Sequence, residues 1–358
     1  MPAEKAASAS LESELSDALG TLDRTRRQLA LRSLGARFGA VAPEKGMALL
    51  VQITGLADRQ EFAEALLREW GKAQALAALA ACQKLAAGEL RSTGIAAAVT
   101  SWAESEPGRA AAWAATNLVG SSRQTAVAKA AEIWANKEPL SASAWALKMS
   151  GSAAGTAAIR EVMTRWAATD PQQGAAWCTS LPSGSFRDTA LETVVTEWAD
   201  QFPAEAAAWI SIQPDAGKLG ALVASTWSKA DPISAAAWVQ KLPPSDMRTD
   251  ASAEIVATWA AADAMQALSW ISTNVADPNE KLPLTIAAVQ SWASDEPTAA
   301  LEWARQNQDA ASAEAVIEIW QTMQPESLVR WLSSKDSTTA CAWLSGNPRA
   351  QQLLQQSR

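Results

Sequence analysis

Apolar residues along this chain are spaced as the buried face of a helix requires. No segment alternates apolar and polar residues over more than a few positions. In the segment 187–198, for example, the apolar positions are Ala190, Leu191, Val194, Val195 and Trp198. This three-to-four-residue spacing predicts a helix, whereas a strand would show a period of two. The pattern therefore predicts an all-α chain in which a longer helix such as 187–198 alternates with a shorter, Ala-rich one such as 203–212.

Tryptophan marks the repeat. Trp198 is followed after five residues by Pro203 and after six more by Trp209. The spacing of eleven recurs in eight pairs: Trp102 with Trp113, Trp134 with Trp145, Trp166 with Trp177, Trp198 with Trp209, Trp227 with Trp238, Trp259 with Trp270, Trp292 with Trp303, and Trp320 with Trp331. The interval from one pair to the next varies, since it is 21 residues from Trp177 to Trp198 and 18 from Trp209 to Trp227. The constant interval predicts a turn of fixed geometry and the variable one a surface loop.

The residues around each proline predict the start of the short helix. An acidic residue precedes Pro in five repeats, at Glu106, Glu138, Asp170, Asp231 and Glu296. An acidic residue followed by Pro at the first helical position favours a capped helix start and complements the helix dipole. We therefore expect all five side chains to cap the short helices.

The repeat can be followed beyond the tryptophans towards the N-terminus. With Phe38, Leu49 and Ala81 in tryptophan places and Ala75 in a proline place, the spacing continues from Phe38 to Trp331. Terminal repeats that diverge in this way are typical of capping units. The sequence thus predicts a degenerate N-terminal cap over 1–42, a repeat array over 43–331, and a C-terminal cap and tail over 332–358.

The tryptophan pairs are expected to form a structural ladder in the core of the array. Each buried indole removes ~150–250 Å² from water, and Ala triplets such as 110–112 leave room for the rings. The alternative is an aromatic groove for sugars, prolines or a pigment. Strict periodicity in every unit favours the core interpretation.

These spacings resemble those of the tetratricopeptide class of α-solenoids. In that family a Pro closes the second helix and a Trp follows six residues later, as in Pro171 to Trp177 and Pro203 to Trp209 here, and Ala190 to Val194 matches its Ala-x-x-x-apolar step. The family's Leu-Gly and Tyr after the Trp are missing, and the period is about 32 residues, so the chain looks like a divergent relative with HEAT-like character. The register counted from Phe38 gives about ten hairpins, and the resemblance implies that they form a right-handed α-α superhelix that binds proteins or peptides.

Composition limits the partners and the chemistry. A net charge of −8 and the lack of an apolar run long enough to cross a bilayer argue against nucleic acid and membrane insertion. The start lacks the apolar core of a secretory signal, so we expect a cytoplasmic protein; export with the signal already removed is the alternative. The chain has no histidine and no Gly-rich phosphate loop, so we expect no catalytic, cofactor-binding or metal-binding residues. Cys82 and Cys178 are expected to be buried, inert thiols.

Two polar features are candidate partner contacts. The first is an arginine column, ten residues after each first-helix tryptophan place: Arg59, Arg91, Arg123, Arg187 and Arg248. One interpretation is that these arginines bond to the acidic caps or the last carbonyls of the neighbouring helix. The other is that they bind an acidic peptide. The second is a predicted long loop over 272–284, which contains Asp277, Asn279, Glu280 and Lys281.

The function predicted from the sequence is a non-catalytic scaffold for an unidentified protein or peptide partner. The alternative is a self-assembling structural repeat protein of a cell-envelope or macromolecular layer.

Overall fold

A computed structural model of the chain describes residues 2–213 and 217–334, and in these two ranges it contains α-helices and no β-strand. The all-α class is therefore confirmed. The helices are α1 (Pro2–Leu19), α2 (Arg24–Val41), α3 (Pro43–Leu49), α4 (Leu56–Lys84), α5 (Glu89–Ser105), α6 (Pro107–Asn117), α7 (Gly120–Ala135), α8 (Pro139–Leu147), α9 (Ala153–Ala167), α10 (Pro171–Thr179), α11 (Ser185–Gln201), α12 (Pro203–Ile210), α13 (Gly217–Ala230), α14 (Pro232–Gln240), α15 (Asp246–Asn274), α16 (Pro278–Asp295), α17 (Pro297–Gln306), α18 (Ala310–Met323) and α19 (Pro325–Ser334). A short 3-10 helix, Leu50–Gln52, follows α3.

The predicted turn of fixed geometry is present at ten positions, which we call corners. At each corner a single residue leaves the helical conformation, with φ between −152° and −126° and ψ between 59° and 88°. The corner residues are Ala42, Gln74, Glu106, Glu138, Asp170, Phe202, Asp231, Asp263, Glu296 and Gln324. One extended residue between two helices reverses the chain sharply, which explains why the spacing across it never varies.

Proline is favourable at a corner but is not required. Gln74 and Asp263 have the corner geometry although Ala75 and Ala264 occupy the proline place after them. In these two cases the helix continues on both sides of the corner, so α4 and α15 are long kinked helices. The conformation therefore depends on packing as well as on the fixed φ of proline.

The chain forms two compact units, Met1–Glu197 and Trp198–Arg358. In the first unit, α5 packs against α7 and α7 against α9, with the short helices α6 and α8 beside them. In the second unit, α13 packs against α15 and α16 against α18. Each helix thus covers the apolar stripe of a neighbour, as the spacing predicts.

Alanine allows the helices to approach each other closely. Ala110 and Ala111 in α6, and Ala235 and Ala236 in α14, are essentially inaccessible to water. The third alanine of each triplet faces outward. Small residues on the packed face keep the short helices near the bulky indoles of the long ones.

The prediction of a long loop over 272–284 is wrong. Helix α15 runs to Asn274 and α16 starts at Pro278, so only residues 275–277 lie between helices. Asp277 accepts a hydrogen bond from the backbone N–H of Asn279 at 2.9 Å and Pro278 takes the first helical position. The Asp-Pro pair starts a helix here, and Pro283 is accommodated inside it.

The predicted boundaries at 42/43 and 331/332 stay predictions. Most of the predicted C-terminal cap and tail, residues 335–358, lies outside the described residues.

Candidate functional site

The two indoles of a tryptophan pair meet across the corner that separates them. Ring centroids lie 5.4–6.2 Å apart with interplanar angles of 32–51° in six of the eight pairs. These pairs are Trp134 with Trp145, Trp166 with Trp177, Trp198 with Trp209, Trp227 with Trp238, Trp259 with Trp270, and Trp320 with Trp331. Such tilted contacts are the geometry that aromatic rings favour.

The two members of each pair differ in their access to water. The first tryptophan is buried at positions 102, 166, 198, 259 and 320 and half-buried at 134, 227 and 292. The second is half-buried in all eight pairs, and its positions are Trp113, Trp145, Trp177, Trp209, Trp238, Trp270, Trp303 and Trp331. Each of the eight corners inside a tryptophan pair therefore exposes one side of an indole.

The prediction that all sixteen tryptophans lie in the core is thus corrected for the second member of each pair and for the first members Trp134, Trp227 and Trp292. In α6 the fully buried positions are Ala110, Ala111 and Ala114, and Trp113 lies at the boundary of the stripe that they form. A side chain at the edge of a helical stripe keeps one side in water, because only the centre of the stripe faces the neighbouring helix.

The half-buried rings still contribute to the packing of the second unit. Trp303 packs against the apolar core that is built around α15, α16 and α18. Trp238 packs against the core between α13 and α15, and its indole N–H donates to the Ser211 hydroxyl at 3.1 Å. These rings are therefore partly structural, and the side that remains in water is available to a ligand.

Where the corner residue is glutamate, its side chain accepts a hydrogen bond from the indole N–H of the preceding tryptophan. The indole N–H of Trp102 donates to Glu106 at 2.9 Å, and that of Trp292 donates to Glu296 at 3.1 Å. Trp134 and Glu138 have the same relation at 3.4 Å. This bond and the neighbouring guanidinium of Arg109 hold the pKa of Glu106 below its usual value.

The prediction that all five acidic residues cap the short helices is therefore only partly right. Asp170 and Asp231 accept from backbone N–H groups three residues later, at 2.9 and 3.0 Å. The three glutamates make no such capping bond. The additional methylene of glutamate carries its carboxylate past the helix start to the indole, whereas aspartate reaches only the backbone.

The corner at Phe202 provides a test of this indole bond. Trp198 is buried and its indole nitrogen has no hydrogen-bond partner among the described residues, since Phe202 stands where other corners have glutamate. We expect Phe202→Glu to raise the free energy of unfolding by about 1 kcal/mol relative to Phe202→Leu, because the buried donor gains an acceptor. Chemical denaturation of both variants measures this difference. Equal stability of the two variants would show that glutamate does not reach Trp198.

Two grooves open at equivalent corners, one in each unit. The first is a cavity of about 380 Å³ between the corners at Gln74 and Glu106, with Leu76 and Trp102 in its wall. The second is a cavity of about 340 Å³ between the corners at Asp263 and Glu296, lined by Met265 and Trp292. We call them the Trp102 groove and the Trp292 groove.

The grooves coincide with the two corners that lack proline, Gln74 and Asp263. Sequence reasoning missed them, although the replacement of Pro by Ala75 and Ala264 was a signal that could have located them. At the corner of Glu106, where Pro107 is present, the following residue Gly108 lies directly against the ring of Trp134.

The arginine column lies at the other end of the long helices. Four of its members donate to a backbone carbonyl five or six residues earlier, in the turn after the short helix. Arg59 donates to Ile53 at 2.7 Å, Arg123 to Leu118 at 2.6 Å and Arg248 to Leu242 at 3.3 Å, and Arg91 donates to Leu85. Arg187 instead donates to the Ser183 hydroxyl at 3.2 Å, and its buried Nε has no partner among the described residues.

These bonds predict that Arg123 mainly stabilises the fold. We expect Arg123→Ala to lower the free energy of unfolding by about 1–2 kcal/mol, because a charged donor to a carbonyl that closes the turn is lost. Thermal unfolding followed by circular dichroism measures the effect, with the exposed Arg160→Ala as the control. Unchanged stability with loss of a bound partner would contradict the structural interpretation.

The residues predicted around position 277 come together with Arg248. Glu280 and Arg248 form an ion pair at 3.2 Å, and both line a cavity of about 270 Å³ with Asp277 and Trp270. Lys281 donates to the carbonyl of Ser272 at 3.0 Å, and Asn279 donates to Asp277 at 3.1 Å. Their polar groups are used to close the turn between α15 and α16.

The two cysteines that the structure describes are buried, free thiols. Burial raises the pKa of both Cys82 and Cys178 to about 12. Both thiols therefore stay protonated at neutral pH, a state in which cysteine is a poor nucleophile.

Comparisons with known proteins give no relative. No family model, curated protein or solved structure matches this chain. Within residues 2–213 and 217–334, no group of three or more metal-ligating side chains is placed to hold an ion. No helix in the same ranges is apolar over a length sufficient to cross a bilayer.

Proposed function

We propose that this chain is a non-catalytic scaffold that binds a protein or peptide partner at its corner edge, by which we mean the corners of each unit with their half-buried indoles. The observation that carries the proposal is the pair of equivalent grooves, each with a tryptophan and an exposed apolar side chain in its wall. Aromatic residues, Met and Leu on the rim of a groove are features of protein-binding surfaces.

Exposed apolar residues along the corner edge support this proposal. Leu76, Leu140, Ile233 and Met265 each lie two residues after a corner, and each is more than half exposed. Four of the ten corners have a large apolar side chain at this position, and keeping more than half of each in water costs solubility. This recurrence favours a role in contact with another molecule.

We further propose that the helices form a solenoid similar to tetratricopeptide and HEAT repeats. The ten corners of equal geometry and the packing of successive long helices within each unit support this arrangement. A solenoid presents the same position of every repeat along one edge, and such an edge suits an extended partner.

Truncation of the exposed side chains tests the scaffold. The immobilised wild-type chain would first be used to capture a partner from a native extract, and binding of that partner would then be measured for Ile233→Ala/Met265→Ala. Removing two apolar contacts should weaken binding by about tenfold or more, since each buried methylene contributes about 0.8 kcal/mol. Circular dichroism should be unchanged because both side chains lie mostly in water.

The matched control truncates two exposed apolar residues near the turns within helix pairs, Val119→Ala/Ile212→Ala. This variant should bind the partner as the wild type does. Equal weakening by both variants, or by neither, would contradict binding at the corner edge. A sedimentation coefficient that rises with protein concentration, with no other protein captured, would instead favour the self-assembling alternative.

A further inference from the structure

We propose that the Trp292 groove is a receptor for an arginine side chain of a partner protein. This inference rests on the proposed scaffold function and identifies the chemistry that one of its grooves recognises. In the equivalent Trp102 groove, an arginine of the chain itself occupies the corresponding place.

The Trp102 groove contains its own guanidinium. Arg109 lies over the ring of Trp102, with its Cζ atom 5.8 Å from the ring centroid. Its Nη1 atom donates to both oxygens of Glu106, at 2.7 and 2.9 Å. The second of these oxygens also accepts the Trp102 indole N–H. One carboxylate and one indole thus hold the cation between a negative charge and an aromatic face.

The Trp292 groove has the same receptor without the cation. The corner at Glu296 has φ −126° and ψ 63°, against −130° and 65° at Glu106, and the indole of Trp292 donates to Glu296 at 3.1 Å. The residue three positions after the corner is Ala299 in place of arginine. The carboxylate and the half-buried indole therefore remain, and the groove has lost the side chain that covers them in the other unit.

The side chains that line the two grooves carry net charges of opposite sign. Lys72 and Arg109 line the Trp102 groove together with one carboxylate, Glu106. Asp263, Asp295 and Glu296 line the Trp292 groove, and none of the described residues that line it is a lysine or arginine. Three carboxylates beside an indole face attract a cation and repel an acidic ligand.

Arginine fits this receptor better than lysine does. A guanidinium is planar, so it can lie on the indole while one of its nitrogens donates to both oxygens of the carboxylate, as Nη1 of Arg109 does. A lysine ammonium is compact and strongly hydrated; it can donate hydrogen bonds to the carboxylate, but it has no planar face to lie on the indole. The exposed Met265 at the rim offers apolar surface for the methylene stem of the arginine.

The inference is tested on the full chain with a short peptide, acetyl-Gly-Gly-Arg-Gly-Gly-amide. Indole N–H signals in a proton–nitrogen correlation spectrum report binding, and the Trp292 signal is assigned by its loss in Trp292→Phe. We expect the Trp292 signal to shift saturably. The same peptide with uncharged citrulline in place of arginine should bind about tenfold more weakly. Free arginine is a separate titration that distinguishes a small-molecule site from a peptide site.

Two variants exchange the properties of the grooves. Ala299→Arg should place the chain's own guanidinium over Trp292 and reduce peptide binding there at least tenfold. Arg109→Ala should uncover the indole and carboxylate in the Trp102 groove, so that the Trp102 signal now responds to the peptide. Thr298→Arg adds the same charge at the neighbouring exposed position and should change binding less than twofold, which separates occupancy of the groove from net charge.

Equal shifts with arginine and citrulline, or undiminished binding by Ala299→Arg, would overturn the inference. The scaffold proposal fails separately, when Ile233→Ala/Met265→Ala leaves the captured partner bound. If that variant loses the partner but the Trp292 signal does not respond to the peptide, the scaffold proposal stands and only the arginine receptor is contradicted.

Discussion

Replacing Trp166 with alanine should lower the free energy of unfolding by about 3–5 kcal/mol, the range measured for large buried aromatic residues. Trp166 is 1% exposed, its ring lies 6.1 Å from that of Trp177, and it packs on Gly174 in the next short helix. Alanine would leave a cavity that cannot collapse, because the helices around it already touch through glycine and alanine. Urea denaturation followed by far-ultraviolet circular dichroism measures the loss.

The control for this prediction is Trp145→Ala in the same unit. Trp145 is the second, half-buried member of its pair, so part of its ring already lies in water. We expect its removal to cost no more than about half as much as that of Trp166. If the two substitutions had equal effects, the first tryptophan of each pair would not be the main source of core stability.

The second large effect is expected where α2 crosses α4. Gly35 and Gly39 are four residues apart on α2, and a β-carbon on either would lie 2.3 Å from a backbone carbonyl oxygen of α4, at Phe62 or Leu66. Because a backbone oxygen cannot rotate away, the helices would have to separate. We expect Gly35→Ala/Gly39→Ala to lower the free energy of unfolding by about 2–6 kcal/mol, although alanine is the better helix former.

Gly151→Ala serves as the control, since a β-carbon there meets no atom within 4 Å and the backbone φ is not positive. This change should alter stability by less than about 0.5 kcal/mol. The double variant should also lose hydrogen-exchange protection in α2 and α4. Wild-type stability of the double variant would mean that the two helices are not packed backbone to backbone.

The spacing of the repeat was predictable because its causes lie close together in the chain. A corner consists of one extended residue, a helix start after it and a hydrogen bond from its N–H to the carbonyl of the tryptophan four residues earlier, for example 2.9 Å from Glu106 to Trp102. All these groups lie within a few residues of each other, so the constant Trp-Pro-Trp interval indicates the corner directly. The error over 272–284 had a different cause, since the Asp277-Pro278 helix start was equally visible in the sequence but was interpreted as a loop.

The roles of the polar side chains were less predictable. Glutamate and aspartate look equivalent before proline, yet Glu106 accepts from an indole and Asp170 caps a helix. The arginine column was visible as a regular position, but whether it faced a carbonyl or a partner depended on the conformation of the turn. The turn contains a glycine three residues before Arg91, Arg123 and Arg187, at Gly88, Gly120 and Gly184. The φ values of these glycines are 149°, 60° and 155°, conformations that L-residues rarely adopt.

The sequence by itself determined the all-α class and the corner positions, because helical periodicity and helix starts depend on neighbours in the chain. Only the tertiary structure decided which tryptophans are half-exposed, and where the absence of proline opens a groove. It also decided that Arg109 covers one indole–carboxylate pair while Ala299 leaves the equivalent pair uncovered. The half-exposure and the grooves depend on residues some 30 positions apart meeting in space, which the spacing of a single repeat does not report. At Arg109 and Ala299, seven residues after their tryptophans, the fold of the corner decided that this position lies beside the indole.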